Sequence, residues 1–131
     1  MVVDTSALMA LLLDEPQAEQ IDRALRSSTV SVLSAANHVE LMLVVESRTG
    51  PAGALIADEL LRRMEIRVDA VSARLAQLAI DGWRRFGKGR HPAALNFGDC
   101  FSYALAIERV EPLLFVGDDF SRTDVQSALT G

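Results

Sequence analysis

The sequence predicts an α/β domain built on a mainly parallel sheet of about four to five strands, flanked by helices. Three observations predict it. Short, β-branched or apolar segments alternate with longer stretches of helical periodicity. The composition is half hydrophobic but only 5% aromatic, so the core is aliphatic and rich in helix. The length, 131 residues, suits one domain covering residues 1–131.

The elements follow in order. MVVD (1–4) reads as a short buried strand. SALMALLLD (6–14) reads as a helix with Thr5 or Ser6 near its N-cap. EPQAEQIDRALRSS (15–28) is a second helix, with Pro16 in its first turn and Ile21 and Leu25 on one apolar face. TVSVL (29–33) alternates and is β-branched, which predicts a strand. SAANHVELMLVVESRTG (34–50) is a helix capped by Ser34 and stopped at Gly50, and PAGALIADELLRRME (51–65) is another that starts near Pro51. IRVDAV (66–71) is a strand. SARLAQLAIDGWRRFG (72–87) is a helix capped by Ser72. A loop runs to Phe97, and GDCFSYALAIERV carries a helix beginning at Asp99. PLLFV (112–116) is the last clear strand, GDDF (117–120) is its exit, and TDVQSAL (123–129) is ambiguous.

Composition narrows the function classes. The single cysteine, Cys100, forms no internal disulfide and fits a reducing cytoplasm as a small core residue. The start lacks a positive leader region and Asp4 interrupts it, so no secretion signal is expected. The apolar run from Ser6 to Leu13 is too short to span a bilayer. A net charge of −5 argues on its face against nucleic acid as a partner. The charge is unevenly distributed, however. GWRRFGKGRHPAALNFG (82–98) holds Arg84, Arg85, Arg90 and the only lysine, Lys88, with no acid.

The acids carry the chemistry. Asp4 closes the first strand, and Asp118 and Asp119 follow the last. In a parallel sheet these groups emerge at one edge, where α/β folds build their sites. Asp99 begins a helix, whose dipole favours an anion there. Glu40 lies between Val39 and Leu41 near the apolar side of a helix. Taken singly, each has an ordinary structural reading: Asp4 and Asp99 as caps, Glu40 as a solvated face, Asp118 and Asp119 as turn residues. Together they would repel one another unless protonated or neutralised by a cation. All-oxygen ligation suits Mg²⁺ or Mn²⁺. His38, His91 and Cys100 form no zinc pattern. A hard divalent cation among carboxylates, beside a basic loop, suits phosphoryl transfer on a polyanionic substrate.

Other residues have two readings each. Lys88 and Arg90 are read as contacts to the phosphates of a polyanion. Arg84 and Arg85 are either that or cations at the negative pole of their helix. Asn96 would fix the loop through side-chain hydrogen bonds, and Ser102 would position a water near Asp99. Trp83 and Phe86 are read as packing. The segments LMALLL and LMLVV are mostly core, with some surface left for a dimer or a partner groove.

VVDTSALMALLLDEP, Glu40 in NHVELMLVVESR, GKGRHPAALNFGDCFSYALA and PLLFVGDDF together resemble the PIN-domain ribonucleases, most of all the VapC toxins of bacterial VapBC toxin–antitoxin pairs. The resemblance spans nearly the whole chain, in order. It implies a PIN-like fold and Mg²⁺- or Mn²⁺-dependent cleavage of tRNA or rRNA by water attack. It also implies a homodimer and inhibition by a VapB-type antitoxin that covers the site. Carried over by motif, the acidic quartet falls on Asp4, Glu40, Asp99 and the GDDF segment. There, a G-x-D-F pattern points to Asp119, while Asp118 matches relatives with an earlier acid. Thr5 and Ser6 match the first motif and would orient Asp4 or a metal-bound water. A hydroxyl common in relatives just before the fourth acid is missing from Phe115-Val116-Gly117.

Two other function classes compete. A haloacid-dehalogenase-type phosphatase also begins with a strand-end aspartate, but it needs a second Asp two positions on, where this chain has Ser6. A non-catalytic PIN-like module would bind RNA or a partner without cutting, and the intact acidic set argues against it.

Overall fold

The computed structural model describes residues 1–129. Thr130 and Gly131, the end of the expected 1–131 domain, lie outside the described residues. The elements run β1 (Val2–Val3), α1 (Thr5–Leu12), α2 (Ala18–Ser27), β2 (Ser31–Ser34), α3 (Ala35–Arg63), β3 (Ile66–Asp69), α4 (Ala73–Phe86), α5 (Phe97–Arg109), β4 (Leu113–Leu114) and a 3₁₀ turn, Phe120–Arg122.

The four strands form one sheet of order β3-β2-β1-β4, and every pairing is parallel. Val2 pairs with Val32 on one side and Leu113 on the other, so β1 is interior. Side chains alternate across a strand, and the two valines of β1 therefore enter different cores. Val2 packs with Leu75, Tyr103 and Leu105 under α4 and α5. Val3 packs with Leu8, Ile21 and Leu41 under α1, α2 and α3. A two-residue strand is thus held from both faces.

The winding order matters for function. From β1 the chain steps outward through β2 to β3, then returns to place β4 on β1's other side. The crevice of a parallel sheet opens beyond the carboxyl ends of the strands at such a reversal. Here that place is the end of β1 and β4, where Asp4 N–H donates to Leu114 O at 2.9 Å.

Several boundaries differ from the sequence expectations. Pro16 is not in the first turn of α2, which starts at Ala18; the proline belongs to the turn that precedes it. Gly50 does interrupt the long helix, with φ +77° where Pro51 follows, but helical structure resumes at once on the far side. α5 begins at Phe97 rather than Asp99, because Asn96 takes the N-cap. The strand expected over residues 112–116 is only Leu113–Leu114. Its outer side is covered by the tail, in which Leu113 bridges to Ser127. No helix among the described residues is long and apolar enough to cross a membrane.

Candidate active site

Asp4 is both a cap and a buried acid. It, rather than Thr5 or Ser6, is the N-cap of α1, and its Oδ2 accepts from Ser6 N–H at 3.0 Å. The residue is only 3% exposed. Its Oδ1 accepts from Ser102 Oγ on α5. Burial raises its pKa; the Ser102 and Ser6 bonds oppose that rise, and the charge of Glu40 adds to it. Ser102 has one proton and a second oxygen within reach, Asn37 Oδ1 at 3.1 Å. With Asp4 ionised, Ser102 donates to Asp4. With Asp4 protonated, Asp4 donates to Ser102 and Ser102 to Asn37.

Ser102 is bonded to Asp4, on the side of α5 that faces the end of β1. The roles of Thr5 and Ser6 differ from expectation. Thr5 Oγ1 donates to Glu40 Oε1 at 2.6 Å, so it orients Glu40 and not Asp4. The Ser6 hydroxyl accepts from Val116 N–H at 3.0 Å and pins the exit of β4 to α1.

Glu40 lies in the second turn of α3 and reaches across to α5. Its Oε1 also accepts from Asn37 Nδ2 at 3.3 Å. Its carboxylate lies over Gly98, where a Cβ would sit 2.0 Å from Oε2. Gly98 is thus the place where an acid from α3 meets the first turn of α5. Asn37 and Gly98 are the two site residues that sequence reasoning missed. Asn37 had a signal: it stands four residues before the buried Leu41, on the inward face of an apolar helix.

Asp99 is held by a capping box. Its N–H donates to Asn96 Oδ1 at 2.8 Å, and its Oδ2 accepts from Asn96 N–H at 3.1 Å. Asn96 thus fixes this turn as expected. Burial pushes the Asp99 carboxyl up to about 7; the Asn96 bond opposes this, and the charges of Asp4, Asp119 and Glu40 add to it. The structure therefore brings Asp4, Glu40 and Asp119 into the field of Asp99. Asp118 stands beside Asp119 in the exit turn, where its carbonyl accepts from Ser121.

The donor set is all oxygen and comes from four separate segments, which suits a hard divalent cation. Gly98 leaves the space that lets the Glu40 carboxylate approach α5. As they stand, no three His, Cys, Asp or Glu side chains among the described residues are grouped closely enough to enclose an ion. Each acid is instead held by its own neighbours: Asp4 by Ser102, Glu40 by Thr5 and Asn37, Asp99 by Asn96.

The basic residues divide. Arg85 is engaged internally, with its guanidinium 3.3 Å from both Tyr103 Oη and Asp124 Oδ2. Arg84 pairs with Asp81 one turn back at 3.6 Å. Arg90 donates to Arg84 O and stacks over Trp83 at 4.7 Å. Lys88 has no ion-pair or side-chain hydrogen-bond partner among the described residues. It stands with Asn96 and Phe97 on the rim of a groove of about 730 Å³ between α4 and α5. Phe97 is 80% exposed, and Val39 and Leu43 of α3 are also exposed beside it. The LMLVV segment is therefore only half core.

The chain is similar to known proteins in both sequence and fold. The PIN domain family matches residues 1–126. The chain is 49% identical over 125 residues to Ribonuclease VapC of Mycolicibacterium smegmatis, covering 95% of this chain and 97% of that one. Among solved structures, it resembles Mycobacterium tuberculosis VapC20, a sarcin–ricin-loop-cleaving toxin, with TM-score 0.76 and 23% identity over 95% of each chain. It also resembles a chain of a toxin–antitoxin complex from Klebsiella pneumoniae, with TM-score 0.69 and 16% identity over 98% of this chain and 97% of that one. With a parallel α/β fold, acids gathered at its switch point and a near-full-length likeness to a VapC ribonuclease, the chain belongs to the PIN-domain family, in its VapC branch.

Proposed function

We propose that this single-domain chain is a divalent-metal-dependent endoribonuclease toxin that hydrolyses a phosphodiester in structured cellular RNA. The observation that carries the reading is the shared field at Asp99: charges on Asp4, Glu40 and Asp119 all act on it. The four acids come from the end of β1, from α3, from the start of α5 and from the exit of β4, and the other three lie within electrostatic reach of Asp99. Burial raises the Asp99 carboxyl most and the neighbouring carboxylates add to it, and a bound cation would relieve both costs.

Asp4, Glu40, Asp99 and Asp119 are the residues to hold Mg²⁺ or Mn²⁺, with Asp118 at the margin. A bound divalent ion supplies charge neutralisation for a scissile phosphate and a more acidic water. The chain's own groups do the rest. Thr5 and Asn37 aim Glu40, Ser102 and the Ser6 amide aim Asp4, and Asn96 aims Asp99. Lys88, on the rim, is the cation available to a phosphate, with Arg90 and Arg84 behind it and Arg85 committed elsewhere.

We read tRNA or rRNA as the substrate class; the structural relative VapC20, a sarcin–ricin-loop-cleaving toxin, supports structured RNA in general. A VapB-type antitoxin is supported too, since the Klebsiella relative was solved in a toxin–antitoxin complex. The apolar surface around Phe97, Val39 and Leu43 suits a homodimer contact beside the site. The cytoplasm, where such RNA is found, is the place of action.

The test is cleavage of total RNA by purified protein with Mg²⁺ or Mn²⁺, with chelator, and with Asp99→Asn. Cleavage that needs the metal and disappears in Asp99→Asn supports the reading. Equal cleavage by both proteins overturns it. RNA binding without cleavage under all conditions would favour the non-catalytic module, and turnover of small phosphoesters the phosphatase.

A further inference from the structure

We infer that Asn37 is a positioning residue for this site: its side-chain amide sets the Glu40 carboxylate and couples it to Asp4 through Ser102. The inference rests on the metal-site reading above and extends it to a residue outside the acidic set.

Asn37 is completely buried, at 0% exposure. A buried amide is costly unless its hydrogen-bonding positions are filled. Its polar atoms face three partners. Nδ2 donates to Gly98 O at 2.9 Å and to Glu40 Oε1 at 3.3 Å, and Oδ1 lies 3.1 Å from Ser102 Oγ, whose one proton goes to it when Asp4 is protonated and to Asp4 when Asp4 is ionised. The orientation is fixed by chemistry. Turning the amide over would set its oxygen against the Gly98 carbonyl and the Glu40 carboxylate, acceptor against acceptor.

The partners all belong to the site. Glu40 is one of the acids. Ser102 is the donor that holds Asp4. Gly98 is the residue whose missing Cβ admits Glu40, and it directly precedes Asp99. One amide therefore bridges α3 to α5 and touches the supports of three carboxylates. Thr5 holds the same Glu40 oxygen from the other side. Outer residues that orient ligands in this way commonly change metal affinity about 10- to 100-fold when removed.

The test measures Mn²⁺ binding by calorimetry, without RNA, on wild type, Asn37→Ala, Glu40→Gln and the double variant. Circular dichroism checks the fold of each. Asn37→Ala should weaken Mn²⁺ binding about tenfold or more. In the Glu40→Gln background the same change should add less than about twofold, because the amide acts through Glu40. Unchanged affinity in a folded Asn37→Ala protein overturns the inference. So does an equal loss in both backgrounds, which marks a merely structural role. Asn37→Ser, which keeps a small polar group but cannot span to Gly98 and Glu40, is the second variant. If neither folds, the Asn37 side-chain amide protons of wild type are followed by NMR during Mg²⁺ titration. They should move with the affinity measured calorimetrically, and no movement overturns the inference. Failure of wild type to bind Mn²⁺ at all would instead overturn the metal-site reading.

Discussion

Ser102 and Asp4 are 98 residues apart in sequence and share a buried hydrogen bond between α5 and the end of β1. That contact ties the docking of α5 over the sheet to the chemistry of the site. Ser102→Ala should remove about 2 kcal/mol of stability, in the range for a hydrogen bond to a charged group, because the buried Asp4 carboxylate loses its hydroxyl donor. Urea unfolding reads this as a lower midpoint at unchanged slope. Ser121→Ala, which removes an exposed hydroxyl bonded to Asp118 O, is the control and should shift stability by less than about 0.5 kcal/mol.

Asp99 makes the protein less stable as pH rises. Its carboxyl titrates at about 7 when folded against 3.8 as a free group. Between those values the folded chain binds more protons than the unfolded one, so stability falls through that window and levels above it. Asp99→Asn keeps an oxygen for the Asn96 amide and removes the charge. In chelator at pH 8 it should be more stable than wild type by about 1–3 kcal/mol, after allowance for solvent screening. The difference should shrink toward zero as pH approaches 4. A variant less stable than wild type at pH 8 would show that the capping bond outweighs the buried charge.

Gly98 sets two rules against each other. In a helix interior, Ala is favoured over Gly by about 1 kcal/mol. At this position the added Cβ meets Glu40 Oε2 at 2.0 Å and Cδ at 2.6 Å. The carboxylate must move, and its bonds to Thr5 and Asn37 go with it. Gly98→Ala should therefore destabilise the protein by about 1–3 kcal/mol and abolish RNA cleavage. Thermal unfolding and an RNA cleavage assay check the two effects. A stabilised, active variant would mean that Glu40 has room the structure does not show.

How far the sequence revealed this arrangement depends on the range of the contacts. Alternating strands and helices, Ser34 and Ser72 as caps, and the break at Gly50 were local signals, and the structure has all of them. That Asp4 and the GDDF turn leave the sheet at one edge followed from the parallel-sheet model, because β1 and β4 pair in parallel. The role of Thr5 did not follow. Its partner is 35 residues away and depends on the crossing of α1 and α3. Pro16 misled because a proline in a first helical turn and one just before it look alike in sequence. Arg85 looked like a loop cation, and only the fold of the tail brings Asp124 to it.

Val110 offers a stability gain remote from the site. It caps α5 in the left-handed region, at φ 52° and ψ 49°, and is 90% exposed. A β-branched residue is strained there by about 1–2 kcal/mol, and Asn tolerates the conformation better. Val110→Asn should raise stability by about 1 kcal/mol with RNA cleavage unchanged, as read by thermal unfolding and the cleavage assay.

The basic residues separate into a substrate contact and a structural tie, and salt dependence tells them apart. Lys88 lies on the rim beside Asn96 with no ionic partner among the described residues. Arg85 holds Tyr103 and Asp124, joining α4, α5 and the tail. Binding of single-stranded RNA is measured by anisotropy in the Asp99→Asn background, so that the RNA stays intact. Lys88→Ala should weaken binding several-fold at low salt and reduce the slope of log affinity against log salt by about 0.7, the value for one phosphate contact. Arg85→Ala should leave that slope unchanged and lower the unfolding temperature, because its loss frees the tail and leaves Asp124 with Tyr103 alone. The reverse pattern would place the RNA path over α4 and the tail, away from the rim.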